Sequence, residues 1–266
     1  MKSKYGSTIK LFLLIIFAGS ALSTIGQDFN LYQKRWMVQG GDTLPYRVLY
    51  PLNYDSTKNY PVLFFLHGAG ERGSDNEKQL THGAKLFLQE DLRARFPAFV
   101  VFPQCAVTSY WSNVLRMHDA ENRRSFYFLE DGTPTKAMVL LQQLVIYFLK
   151  EYPVKKQQIY VGGLSMGGMG TFELVRRSPS VFAAAFPICG GAHPNSAEKL
   201  KGVQWWIFHG LKDDVVDAEF SKVMAQSLKR KGVNAKLTLY PNANHNSWDA
   251  AFAEKDLLPW LFSKSK

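Results

Sequence analysis

Six short apolar runs punctuate the chain, at residues 62–66, 99–102, 159–161, 182–188, 205–208 and 237–240. Runs of this length and kind predict strands of a parallel sheet buried on both faces. Ahead of them, residues 35–39 and 46–49 flank Gly40-Gly41-Asp42 and predict an antiparallel hairpin. Between the strands the spacing turns helical. Met138, Leu141, Leu144, Val145, Phe148 and Leu149 predict a helix over Lys136–Glu151, with Thr133 as cap and Pro134 in the first turn. A second helix is predicted over 220–231, ending in Lys229-Arg230-Lys231 before Gly232, a basic run suited to a helix C-terminus. No repeat, linker or low-complexity tract interrupts this alternation. It describes one α/β domain, residues 27–266, with helices on both faces of a mostly parallel sheet.

The segment before that domain reads differently. Lys2, Lys4 and Lys10 precede an apolar stretch of about twelve residues, short of the roughly 20 needed to span a bilayer. Small residues follow up to Gly26. Residues 1–26 are therefore expected to be a secretory signal peptide, cleaved between Ala21 and Gln27. A secreted or periplasmic protein without a stable membrane span is the expectation.

Composition narrows the classes further. The 266 residues are 46% hydrophobic, 14% aromatic and 20% charged, which excludes disordered, collagen-like and disulfide-framework proteins. Net charge is +10, and removal of the three leader lysines lowers it to about +7. No nucleic-acid partner is expected. Cys105 and Cys189 could bridge in an oxidising compartment, but sequence does not decide it. Neither has metal-ligand spacing, and no metal or cofactor is expected.

The candidate chemistry gathers where predicted strands end. The run at 159–161 leads through Gly162-Gly163-Leu164-Ser165-Met166-Gly167-Gly168 into a helix over 169–177. Gly163, Ser165 and Gly167 thus form G-x-S-x-G in a strand–turn–helix setting. A serine on so sharp a turn needs neighbours without side chains. The helix N-terminus beside it offers free N–H groups to an oxyanion. A serine hydroxyl is a weak nucleophile unless a base activates it. The run at 205–208 enters His209-Gly210-Leu211-Lys212-Asp213-Asp214, and 237–240 enters Pro241-Asn242-Ala243-Asn244-His245. Acid and histidine follow the serine in chain order, each just past a strand C-terminus, where α/β sheets gather their chemistry.

With Leu66-His67-Gly68-Ala69-Gly70-Glu71-Arg72-Gly73 and His245-Asn246-Ser247-Trp248, these stretches resemble the α/β-hydrolases of the secreted esterase and "predicted peptidase" type. Feruloyl-esterase-like and phospholipase/carboxylesterase-like enzymes are related to these. The resemblance extends over nearly the whole of residues 27–266. It implies that Ser165 attacks a carbonyl, His245 carries the proton and Asp213 of H-G-x-x-D orients the imidazole, with Asp214 as the reserve acid. It implies an oxyanion hole made by the backbone N–H groups of Met166 and Ala69.

Gly68-Ala69-Gly70-Glu71-Arg72-Gly73 also satisfies the dinucleotide fingerprint G-x-G-x-x-G. That fingerprint opens a helix at once, whereas here the first capping signal, Ser74-Asp75-Asn76-Glu77, follows the third glycine. An oxyanion loop is favoured. Residues 104–133 form a long connection of weak periodicity that should overhang Ser165. Trp111 is a candidate pocket wall or a packing residue, and Arg116, Arg123 or Arg124 a candidate anchor for an acidic substrate. Trp248 either lines the pocket or begins the last helix. The short connection from 188 to 205 leaves no room for a lid, so a soluble or polymer-borne ester is the expected substrate. Acyl or aryl esters on polysaccharide fit that expectation. A serine peptidase using the same triad is the alternative.

Overall fold

The computed structural model describes residues 28–118 and 124–266, so the leader and its cleavage site lie outside the described residues. β1 (Tyr32–Gln39) and β2 (Asp42–Leu49) make the expected hairpin, with Gly40 and Gly41 at φ of 59° and 83°. A two-residue turn needs those left-handed values, and glycine adopts them without strain. β2 runs antiparallel to β4 (Phe99–Pro103), which lies beside β3 (Tyr60–Leu66). The sheet continues in parallel through β7 (Val154–Leu164), β8 (Ala184–Ile188), β9 (Gln204–Gly210) and β10 (Ala235–Tyr240). The eight strands stand in the order β1-β2-β4-β3-β7-β8-β9-β10. This is the α/β-hydrolase arrangement.

The apolar runs arise because helices cover both faces. In β3, Val62, Phe64 and Leu66 pack with α3 (Lys136–Glu151), α4 (Met166–Arg177) and α5 (Ala218–Arg230). Leu63 and Phe65 face the opposite layer of α1 (Ala84–Phe87), α2 (Glu90–Arg95), α6 (Trp248–Phe252) and α7 (Leu257–Phe262). Every position of β3 is buried, so its sequence has no polar alternation to show.

Three local expectations change. The cap of α3 is Thr135, whose Oγ1 accepts from Met138 N at 3.1 Å, leaving Thr133 and Pro134 outside the helix. α4 begins at Met166 rather than Met169. The connection after β4 contains a second hairpin, β5 (Val114–His118) and β6 (Arg124–Phe128), whose Val114, Phe126 and Phe128 cover Met169 and Phe220. Cys105 and Cys189 are both free and buried. Among the described residues, no helix is long and apolar enough to cross a membrane.

An ionic cluster fixes α4 to the segment that leaves this hairpin. The Glu173 carboxylate, 7% exposed, accepts from Arg176 Nη2 at 2.8 Å and from Arg177 Nε at 2.6 Å. The same guanidiniums donate to the carbonyls of Glu130 and Gly132, each at 2.8 Å. Removing the carboxylate leaves buried Arg176 with only the exposed Asp131, at 3.3 Å, and Arg177 with no carboxylate partner among the described residues. Glu173→Ala is expected to lower unfolding free energy by about 3–5 kcal/mol in urea titrations.

Candidate active site

β7 enters α4 through Ser165, a non-glycine residue at φ 53° and ψ −117°. Such a conformation persists only where the surroundings over-determine it. Ser165 N donates to Ile188 O at 2.9 Å, tying the turn to β8. A Cβ on Gly167 would collide with the carbonyl oxygen of Leu66, and one on Gly163 with that of Gly167. The glycines of G-x-S-x-G are therefore demanded by crowding between β3, β7 and α4.

The partners arrive on two loops joined to each other. Leu211 N donates to Tyr240 O and Lys212 N to Ala243 O, both at 2.9 Å. A Cβ on Gly210 would strike the carbonyls of Ala243 and Asn244, so the chains after β9 and β10 lie in direct contact. His245 consequently reaches both sides. Its Nε2 lies 2.9 Å from Ser165 Oγ and its Nδ1 lies 2.8 Å from Asp213 Oδ2. The carboxylate only accepts, so Nδ1 carries the proton and Nε2 is left to receive one from the serine.

Asp213 is fixed from every side. Its Oδ1 accepts from Val215 N and Val216 N, both at 2.9 Å, and its side chain has 0% exposure. Burial alone would raise its pKa. Hydrogen bonds from His209, His245 and Val216 outweigh that and hold the carboxyl well below the usual range. Adjacent Asp214 is exposed and takes no part in this chain.

His209 is a partner that sequence reasoning did not assign. It is fully buried, with Nε2 at 3.1 Å from Asp213 Oδ2 and 2.9 Å from Val216 O. Both neighbours are acceptors, so Nε2 carries a proton toward the acid. Its Nδ1 lies 2.7 Å from Ser221 Oγ, which is also 3.0 Å from Gly190 O, so the one hydroxyl proton is shared between the ring nitrogen and the carbonyl. Cys189, at φ 42°, also borders the acid, and burial followed by the Asp213 charge pushes its thiol up. Cys189, Asp213 and His245 offer ligand atoms within 4.8 Å of one another. A thiol held protonated and a histidine bonded to the acid make a poor cation site.

The oxyanion expectation concerns two backbone groups. Met166 is the first residue of α4, where N–H groups lack intrahelical acceptors. Ala69 opens a 3-10 turn (Ala69–Glu71) directly after β3. A Cβ on neighbouring Gly68 would lie 3.7 Å from Ser165 Cβ, so this loop abuts the serine.

A family model described as phospholipase/carboxylesterase matches residues 53–255. The chain belongs to the phospholipase/carboxylesterase family. A thermostable esterase of known structure is 32% identical, with a TM-score of 0.78 over 89% of this chain and 64% of its own. A ferulic acid esterase of Anaeromyces mucronatus, solved with ferulic acid, shares the fold at 17% identity and a TM-score of 0.60, over 84% of this chain and 86% of its own. A bifunctional acetylxylan esterase/xylanase of Neocallimastix patriciarum is 32% identical over 84 residues. That stretch is 31% of this chain but 12% of the fungal protein.

Within this carboxylesterase-family fold the two tryptophans part ways. Trp248 begins α6 and is edge-on to His245, ring centroids 5.5 Å apart. Trp111 is 0% exposed and cannot form a pocket wall. It packs edge-on against His67 at 5.4 Å, and a Cβ on Gly170 would strike it, which places it behind the oxyanion loop. Arg123 lies outside the described residues.

His67 braces that loop. Its Nε2 accepts from Cys105 N at 2.9 Å, so Nδ1 carries the proton and donates to Gly68 O at 2.6 Å. Burial drives its pKa down from 6.5 to about 4 in spite of the Gly68 bond. The unfolded chain therefore binds a proton that the folded one does not between pH 6.5 and 4. The stabilisation is complete above pH 6.5 and declines by up to about 3 kcal/mol toward pH 4. His67→Gln, which keeps an acceptor for Cys105, should flatten this part of a plot of denaturation midpoint against pH.

Proposed function

We propose that this protein is a carboxylic ester hydrolase working through Ser165, His245 and Asp213 and an acyl-enzyme. The observation that carries the reading is the unbroken hydrogen-bond chain from Ser165 Oγ through His245 to Asp213 Oδ2, at 2.9 and 2.8 Å. Ser165 Oγ attacks the ester carbonyl as His245 Nε2 takes its proton. Asp213 keeps the imidazole in the accepting tautomer and stabilises the imidazolium. The N–H groups of Met166 and Ala69 receive the developing oxyanion, a contribution of about 10²–10³ in rate for each such donor. His245 returns the proton to the departing alcohol. Water then enters, is deprotonated by His245 and releases the acid, regenerating Ser165.

Likeness to a thermostable esterase at 32% identity favours ester over amide bonds. The segment between β8 and β9 holds only a short 3-10 helix (Pro194–Leu200), which suits a polymer-borne as well as a small ester. The shorter likeness to an acetylxylan esterase/xylanase points to acyl groups on polysaccharide. Such substrates agree with export by the leader read from residues 1–26.

The test is turnover of short-chain 4-nitrophenyl esters, methyl ferulate and acetylated xylan beside matched amides. The esters are expected to be hydrolysed and the amides not. Ser165→Ala should lower kcat by about 10⁴–10⁶. Ester turnover undiminished in that variant, or faster cleavage of the amides, would overturn the reading.

A further inference from the structure

A groove of about 430 Å³ is bordered by Ala69 and by both strands of the β5–β6 hairpin. Arg72, Tyr110, Arg116, Ser125 and Phe126 line it, and among the described lining residues there is no carboxylate. Arg72 is fixed by backbone carbonyls alone. Its Nε donates to Ala69 O at 3.0 Å, and its Nη1 donates to Val107 O at 3.0 Å and Ser109 O at 3.3 Å. Those bonds orient the guanidinium without neutralising it, and Nη2 takes part in none of them. Arg116 is exposed and lies over the Tyr110 ring, its Cζ 4.9 Å from the centroid, while that of Arg72 lies at 5.8 Å. Among the described residues neither arginine has an ion-pair partner. Two guanidiniums sharing one ring repel each other, and no described residue supplies either with a counter-charge. That is an arrangement completed by an anion, which a guanidinium fork binds in two-point fashion.

A second groove of about 410 Å³ shares Arg72, Tyr110 and Arg116 and continues toward Thr43 and Ser109. The arginine pair therefore stands midway along an extended trough rather than at the end of a closed pocket. Its one acid, Asp42, is already paired with Lys136 at 3.3 Å. The trough is long and polar, and a flat aromatic ring lies at its centre. These features suit a sugar chain that bears carboxylates.

We propose that Arg72 and Arg116 bind the carboxylate of an acidic sugar close to the esterified residue. The substrates are then esters on uronate-bearing polysaccharide. This rests on the ester-hydrolase reading above.

The test compares kcat/KM for an acetylated xylo-oligosaccharide carrying a uronic acid branch with the same compound after its carboxyl is reduced to the alcohol. Hydrolysis of 4-nitrophenyl hydrogen succinate against 4-nitrophenyl butyrate reports whether a carboxylate on the acyl side is read instead. The wild type should prefer the acidic oligosaccharide by about tenfold or more, and the preference should weaken as salt is raised. Arg116→Ala should bring the ratio close to one, and Arg116→Lys should restore part of it. Equal kcat/KM for the two oligosaccharides, a ratio unmoved by Arg116→Ala, or a preference confined to the succinate would overturn the inference while leaving the hydrolase intact. Failure to hydrolyse any ester, 4-nitrophenyl acetate included, would overturn both.

Discussion

Much of this molecule is organised by the approach of α4 to the end of β3, with Ser165 held between them at positive φ. The carbonyl of Leu66 sits where the side chain of residue 167 would be, and the carbonyl of Gly167 where that of residue 163 would be. Only glycine fits at either place. Because β3 ends at this contact, Gly68, two residues further on, lies beside the serine. One steric constraint thus fixes the half-buried hydroxyl, the helix N-terminus behind it and the loop opposite. The strain in the turn is held by neighbours on three strands and by the ionic anchorage of α4 through Glu173.

Around that rigid centre, three histidines serve different ends through different partners. His245 spans Ser165 and Asp213 and is 19% exposed. His209 is fully buried, joining the acid to Ser221 and through it to Gly190 beside β8. His67, held neutral by burial, links the loop after β3 to Cys105, two residues past β4. The acid therefore meets one histidine that is partly open to solvent and another that is fully buried. Low dielectric around Asp213 strengthens both bonds, and those bonds hold its negative charge in place against the cost of burial.

The strands, the elbow and the chain order of Ser165, Asp213 and His245 could be read from local patterns. Each depends on a few adjacent residues: an apolar run, glycines flanking a serine, an acid or histidine just past a strand. What escaped reading depends on contacts across the chain. The β5–β6 hairpin leaves Leu115, Met117 and Tyr127 exposed at about half of their area, so it has neither a buried run nor a polar outer face. Trp111 is apolar and sits near the expected cleft, but its neighbours, His67 and Gly170, come from distant segments. His209 heads the H-G-x-x-D stretch. Its bond to Asp213 follows from the tight turn after Gly210, a placement that adjacency alone does not reveal.

The central claim is that this turn makes Ser165 the nucleophile, activated by His245. It is tested most directly by treating the folded protein with a fluorophosphonate and mapping the labelled peptides by mass spectrometry. One equivalent of label is expected on Ser165, none in Ser165→Ala, and strongly slowed labelling in His245→Ala. Label on another residue, or a folded protein that stays unlabelled, would contradict it.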